Sequence, residues 1–274
     1  MEQVAFIITV YKNDKVDFFK QAVESIINQN YELEKIHIYL GIDGIITDDI
    51  EEFINQNQDF FYKVLRNDTN FGLAYTLNRL INILEDEEYI FRMDSDDICK
   101  LDRINKQLLF LKKNQRIEII GGAIEEIDEE ENVKMIRTYP KSSLEAKKFI
   151  PKASIFAHPT VCFRKSFFNK GFRYSEHYRF NQDLGLWYEA LINDIQISNV
   201  DDIVLSLRTS NDFYKRRSYK RAFGEFSIYW RGIKSLYGYN YRLLYPLLRL
   251  ITRLLPPSIV KVIYNKRFRK VLNK

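Results

Sequence analysis

The stretch Tyr89-Ile90-Phe91-Arg92-Met93-Asp94-Ser95-Asp96-Asp97 decides how the chain is read. An apolar run with β character stops at three carboxylates within four residues. Leu101, Ile104, Leu108 and Leu111 then recur at helical spacing. Carboxylates at the end of a buried strand repel one another and lose hydration, so a positive partner is needed. A hard divalent cation with oxygen ligands is the simplest partner, and Mg²⁺ typically takes one or two carboxylates plus phosphate oxygens. A helix N-cap with a favourable first-turn charge is the plainer reading; one Asp satisfies it and three exceed it.

The same alternation runs outward from this stretch. Residues 4–10 are continuously apolar, as in a strand buried on both faces. After the polar loop Tyr11-Lys12-Asn13-Asp14, the spacing of Val16, Phe19, Val23, Ile26 and Ile27 predicts an amphipathic helix that ends near Asn28-Gln29-Asn30. Residues 36–42 read as a second strand stopping at Asp43-Gly44, and residues 62–66 as a short third one. Leu73, Leu77, Leu80, Ile81 and Leu84 form the next helical stripe, behind Asn70-Phe71-Gly72. Strand and helix alternate through residue 113, which predicts βαβ units and a mostly parallel sheet flanked by helices. Ligands of open α/β sheets sit beyond the carboxyl ends of the strands. Thr9 with Tyr11, Asp43, and Asp94 with Asp96 and Asp97 are therefore expected to converge. Neither a G-x-G-x-x-G turn nor a Walker A loop is present, which leaves phosphate neutralisation to a metal.

Further along, residues 117–124 and 133–139 read as strands, and His158-Pro159-Thr160 as a loop entering another. Asn181-Gln182-Asp183 precedes the helical stripe Leu184, Trp187, Leu191 and Ile192. Asp183 at that helix start is either a cap or a working carboxylate.

The 274 residues suffice for one large domain with an appendage. Cys99 and Cys162 form no C-x-x-C pair, which argues against a disulfide framework or zinc site and fits a reducing cytosol. No secretory signal is expected, because Met1 is followed by acidic Glu2 and a strand-like run. The formal charge of +5 hides an asymmetry. Residues 213–274 hold 16 Lys/Arg against Glu225 alone, whereas residues 1–212 hold 26 against 36 acids. We therefore expect a domain over residues 1–212 and a basic amphipathic helical tail over 213–274. Leu243, Leu244, Leu247, Leu248, Leu250, Ile251, Leu254 and Leu255 are interrupted by Arg242, Arg249 and Arg253 on one helical face. Pro256-Pro257 then breaks the helix before a shorter one from Ile259. Three arginines argue against a membrane span, and an apolar face opposite them predicts a helix lying in the interface of an anionic membrane. Packing of that face on the domain is the alternative.

Val4–Tyr11, Ser25-Ile26-Ile27-Asn28-Gln29, Asp43-Gly44, Asn70-Phe71-Gly72-Leu73-Ala74 with Asn78, Asp94-Ser95-Asp96-Asp97 with Arg103, His158-Pro159-Thr160, and Asp183 with Trp187 occur in this order. The series resembles the family-2 bacterial glycosyltransferases of GT-A fold across residues 3–210. The tail, with Phe213-Tyr214-Lys215-Arg216-Arg217 and Leu254-Leu255-Pro256, resembles the subgroup serving capsule, exopolysaccharide and lipopolysaccharide assembly. The resemblance implies an inverting, metal-dependent transferase moving a sugar from a nucleotide-sugar donor, most often UDP-linked, to a lipid-linked acceptor. It implies Thr9, Tyr11, Asp43 and Asn70 in the nucleotide pocket and Asp94 on the ribose side. Asp96, with Asp97 nearby, would hold Mn²⁺ or Mg²⁺. Asp183 would be the catalytic base, with His158 and Trp187 on the acceptor side. The implied place is cytoplasmic, at the inner face of the cell membrane. The chain departs from the family pattern at Thr9 (usually Pro), Lys12 (usually Asn), Ile45 (usually small or Pro) and Gln182 (usually Glu).

Three other readings stay open on the sequence. A nucleotidyltransferase also pairs α/β sheets with strand-end carboxylates. A degenerate sugar-nucleotide-binding relative fits Gln182. A nucleic-acid binder would use stacking aromatics on a basic β-surface, whereas here the basic residues fall on apolar helices, so no nucleic-acid partner is expected.

Overall fold

The computed structural model describes residues 1–209 and 219–254, Lys220 by its backbone alone. The chain divides into two units, Met1–Thr209 and Ser210–Lys274. The first opens with β1 (Val4–Val10), α1 (Val16–Ile27), β2 (Ile36–Asp43), α2 (Asp48–Gln56), β3 (Lys63–Asn67), α3 (Leu73–Asn82) and β4 (Tyr89–Met93). It continues with β5 (Ile98–Cys99), α4 (Arg103–Lys113), β6 (Ile117–Ile127), β7 (Val133–Arg137) and α5 (Ser143–Phe149). It closes with β8 (Cys162–Arg164), α6 (Lys165–Asn169), α7 (Gln182–Ile192) and β9 (Gln196–Arg208).

The sheet runs β3-β2-β1-β4-β8-β6-β9-β5, with β7 paired to β6. The parallel expectation holds for β3, β2, β1 and β4. Beyond them the sheet is mixed: β8 is antiparallel to β4 and β6, and β9 is parallel to β6 but antiparallel to β5. The uninterrupted apolar runs are explained by burial on both faces. Phe6, Ile8, Leu40 and Phe91 share a core with Phe19 and Ile26 of α1, Ile50 of α2, and Ile104 and Leu108 of α4. The opposite face is covered by α3. A Cβ on Gly41 would stand 2.5 Å from the Thr76 side chain, so glycine at this point of β2 lets α3 approach.

The second unit shows α8 (Tyr219–Tyr237) and α9 (Leu244–Leu254). Arg242 precedes α9, whereas Arg249 and Arg253 lie within it. Arg249 and Arg253 pair with Glu225 of α8 at 2.7 Å each, and Arg242 lies over the Tyr237 and Tyr241 rings. Leu244, Leu248 and Ile251 of α9 are each more than half exposed. No helix among the described residues is long and apolar enough to cross a membrane. The expectations for residues 213–217, Leu255, Pro256-Pro257 and the helix from Ile259 lie outside the described residues.

Candidate active site

Parallel pairing places the carboxyl ends of β1, β2, β3 and β4 along one edge. The chain leaves them through Tyr11, Asp43-Gly44, Asn67 and Asp94. Like charges collect at the β4 exit. Oxygens of Asp94, Asp96 and Asp97 all lie within 4.8 Å of one another. Asp96 is exposed and Asp97 is buried. Crowding by protein, then the Asp94 charge, raises the Asp96 carboxyl to about 6. Burial, then Asp94 and Asp96, pushes Asp97 well above the usual range. The Arg208 backbone N–H donates to Asp97 Oδ1 at 2.8 Å, whereas Asp97 Oδ2 is buried with no hydrogen-bond partner among the described residues. Three convergent hard oxygen donors, one unsatisfied, fit Mg²⁺ or Mn²⁺.

Asp14 joins the β1 exit to this cluster. Its Oδ2 accepts from the Tyr11 N–H at 2.9 Å and the Ser95 hydroxyl at 3.0 Å. Burial raises its carboxyl to about 7 against these two hydrogen bonds, with the Asp96 and Asp94 charges adding to the rise. Tyr11 is exposed beside it, and Thr9 is half-buried on β1 opposite Gly41.

Asp43 is buried, and both of its oxygens are engaged within the protein. Oδ1 accepts from Asn67 Nδ2 and the Phe71 N–H, and Oδ2 from the Gly72 N–H, all at 2.9 Å. Asp43 therefore pins the 67–72 segment to the end of β2. Gly44 makes that approach feasible: its φ is +86°, and a Cβ there would stand 2.7 Å from the Asn70 backbone N. Asn70 donates to the Asp43 carbonyl at 3.2 Å and accepts from Arg179 at 3.0 Å.

A second group forms around Arg92, which is 1% exposed and ion-paired with Asp94. Its Nε and Nη1 have no hydrogen-bond partner among the described residues. Burial works against its charge, and the Asp94 carboxylate outweighs this. The Arg92 field reaches His158, Tyr174 and Asp183. His158 Nε2 shares a 2.8 Å hydrogen bond with the Tyr174 hydroxyl, and burial and then Arg92 hold the imidazole well below its usual range, hence neutral. Asp183 sits in the first turn of α7, behind Asn181 in the left-handed region (φ 56°). Burial raises its carboxyl; the Leu184 amide and Arg92 oppose the rise. A raised but ionisable carboxylate is suited to accept a proton.

Trp187, expected on the acceptor side, does not reach the surface. It is fully buried, with its ring 4.9 Å from Phe156 and 6.0 Å from both His158 and Phe163. It backs His158 from inside the core, because α7 turns that position inward. Sequence reading passed over Arg92, Asp14, Tyr174 and Arg208. Arg92 carried a signal, as a cation inside a strand otherwise apolar; Tyr174 and Arg208 are brought in only by the fold.

The model of "Glycosyl transferase family 2" matches residues 5–172. An uncharacterized glycosyltransferase of Haemophilus influenzae is 30% identical, covering 96% of this chain and 98% of its own. A UDP-Gal:alpha-D-GlcNAc-diphosphoundecaprenol beta-1,3-galactosyltransferase of Escherichia coli is 27% identical, covering 97% and 96%. The mannosyltransferase PcManGT from Pyrobaculum calidifontis, solved with GDP-Man and Mn2+, superposes with a TM-score of 0.66 at 12% identity, over 98% of this chain and 77% of that one. The carboxylate-ended parallel strands are thus those of a GT-A-like fold, and the chain belongs to glycosyl transferase family 2 and is a glycosyltransferase.

Proposed function

We propose that this enzyme moves a sugar from a UDP-sugar, with inversion, onto a hydroxyl of a lipid-linked saccharide during cell-surface polysaccharide assembly. The observation that carries it is the pairing of a carboxylate cluster at the β4 exit with a raised, half-buried Asp183 on α7, both within the field of Arg92. The E. coli relative's name prints a UDP-linked donor and a diphosphoundecaprenol acceptor, which supports this choice of substrates.

The nucleotide lies along the β1–β3 exits, against Tyr11, Thr9 and the Asp43-pinned 67–72 segment. Asp94 meets the ribose side, and Asp96 with Asp97 would hold Mn²⁺ or Mg²⁺. When bound, that ion supplies Lewis-acid stabilisation of the diphosphate leaving group. Asp183 accepts the acceptor hydroxyl's proton as the oxygen attacks the anomeric carbon. The new carbon–oxygen bond forms as the bond to the diphosphate breaks, and attack from the opposite face inverts the centre. His158, neutral and fixed by Tyr174, borders the acceptor. The tail, residues 213–274, holds the enzyme on the anionic inner face of the cell membrane through its basic charge and the exposed leucines of α9.

The first test is a thermal-shift panel of UDP, GDP, CDP and dTDP, each with and without Mn²⁺. A ligand that binds only the folded state stabilises it by about 2.7 kcal/mol at 100 times Kd. UDP should stabilise only with Mn²⁺, and Asp96→Ala should abolish that shift. Asp183→Asn should keep the shift and lose transfer by about 10²–10⁴-fold. No shift with any diphosphate would overturn the donor-site assignment.

A further inference from the structure

Arg208 is the last residue of β9, more than a hundred residues beyond Asp96 and Asp97. Its side chain is buried and spread over three elements. Nε donates to the Asp96 carbonyl at 3.0 Å, Nη2 to Gln21 Oε1 of α1 at 2.6 Å, and Nη1 to the Glu129 carbonyl of the β6–β7 turn at 3.1 Å. The guanidinium lies 4.0 Å from the centroid of the Phe18 ring. Its backbone N–H holds Asp97 Oδ1. The planar fork makes these bonds at once, which a lysine cannot.

We propose that Arg208 is the positioning residue of the Asp96–Asp97 turn, holding it in the geometry that gathers the three carboxylates; this rests on the metal-site reading above. The carboxylates repel one another, and the turn that bears them is tied on the Asp14 side by Ser95. Arg208 ties it on the other side, to α1 and to the β6–β7 turn. Outer-shell partners of metal ligands typically contribute 10–100-fold to metal affinity.

The sign of the effect separates positioning from charge. A guanidinium behind a cation site repels the cation, so on Coulomb's law alone its removal tightens Mn²⁺ binding. If Arg208 works by holding the turn, its removal weakens Mn²⁺ binding instead. The Asp97 bond from the Arg208 backbone survives substitution, so the change reads the side chain alone.

The test is titration of the full-length protein with Mn²⁺, alone and with saturating UDP, followed by the EPR signal of free Mn²⁺, with no acceptor and no turnover. Arg208→Gln should weaken Mn²⁺ binding by about 10-fold or more. Arg208→Lys keeps the charge but not the fork and should also weaken it; this variant stands in if Arg208→Gln does not fold. Arg164→Gln is the control for general destabilisation. Arg164 is an equally networked arginine, bonded to the Ile117 and Leu111 carbonyls, in register with Tyr89 at the far end of β4 from Asp94. It should lower the melting temperature and leave Mn²⁺ affinity unchanged. Unchanged or tighter Mn²⁺ binding in folded Arg208 variants would overturn the proposal and leave the metal site standing. Wild-type protein that binds no Mn²⁺ under either condition would overturn the metal site itself.

Discussion

His158 is held neutral by burial beside a fully buried arginine, and this has a measurable pH signature. Its folded-state pKa lies below the unfolded value of about 6.5. The unfolded chain therefore binds a proton that the folded one refuses, and stability falls as pH drops through and below about 6.5. Asp183 works in the opposite sense: its folded pKa is raised, so the folded state holds a proton at a pH where the unfolded state has released it, and stability rises as pH falls. The difference between wild type and His158→Gln isolates the first effect. Urea unfolding at pH 7.5 and 5.5 should show wild type losing up to about 1.4 kcal/mol per pH unit relative to the variant below pH 6.5. Equal losses in the two proteins would mean that the imidazole is solvated. Arg92, which sets this field, is visible as a cation in an otherwise apolar strand, yet nothing in a linear reading says that its charge acts on a helix start 91 positions later.

At the level of elements, Gly44 is where β2 must turn so that Asp43 can seize the 67–72 segment. Gly44→Ala should cost about 1–3 kcal/mol, from the left-handed backbone and the clash with Asn70, and should weaken UDP binding along with it. Equilibrium unfolding and a UDP thermal shift would check both. This part of the fold was legible because β1, β2 and β4 are enclosed on both faces, and enclosure writes an unbroken apolar run. β9 was not. Its thirteen residues carry Ser198, Asn199, Asp201 and Asp202 midway, and Ser198 and Asn199 donate to the 140–141 and 155 carbonyls instead of facing an apolar layer. Its partner β6 meets it with register shifts at Gly122 and Ala123. Polar residues satisfied by distant backbone look like a loop in sequence. The same logic hid β5, whose two residues exist as a strand only through pairing with β9.

For the whole molecule, the unevenness of charge and the exposed leucines of α9 bear on location. Arg249 and Arg253 pair with Glu225, which offsets part of the basic charge beside these leucines. Deleting residues after Arg217 should move the protein from the membrane to the supernatant in vesicle flotation with anionic lipid. Glu225→Gln should leave the protein bound, since it adds net positive charge. Persistent flotation of the truncated chain would place membrane affinity elsewhere.

Cys99 stands two residues past Asp97, buried and free, with Arg103 Nη1 donating to its sulfur at 3.2 Å and burial raising its thiol above the usual range. A thiol so placed is silent to alkylating reagents until the backbone around it opens. It is therefore a built-in clock for breathing of the carboxylate-bearing turn. In a Cys162→Ala background, the rate of iodoacetamide uptake at Cys99 times each opening. UDP with Mn²⁺ should slow it in proportion to occupancy, giving a readout of donor engagement that needs neither the acceptor nor the sugar.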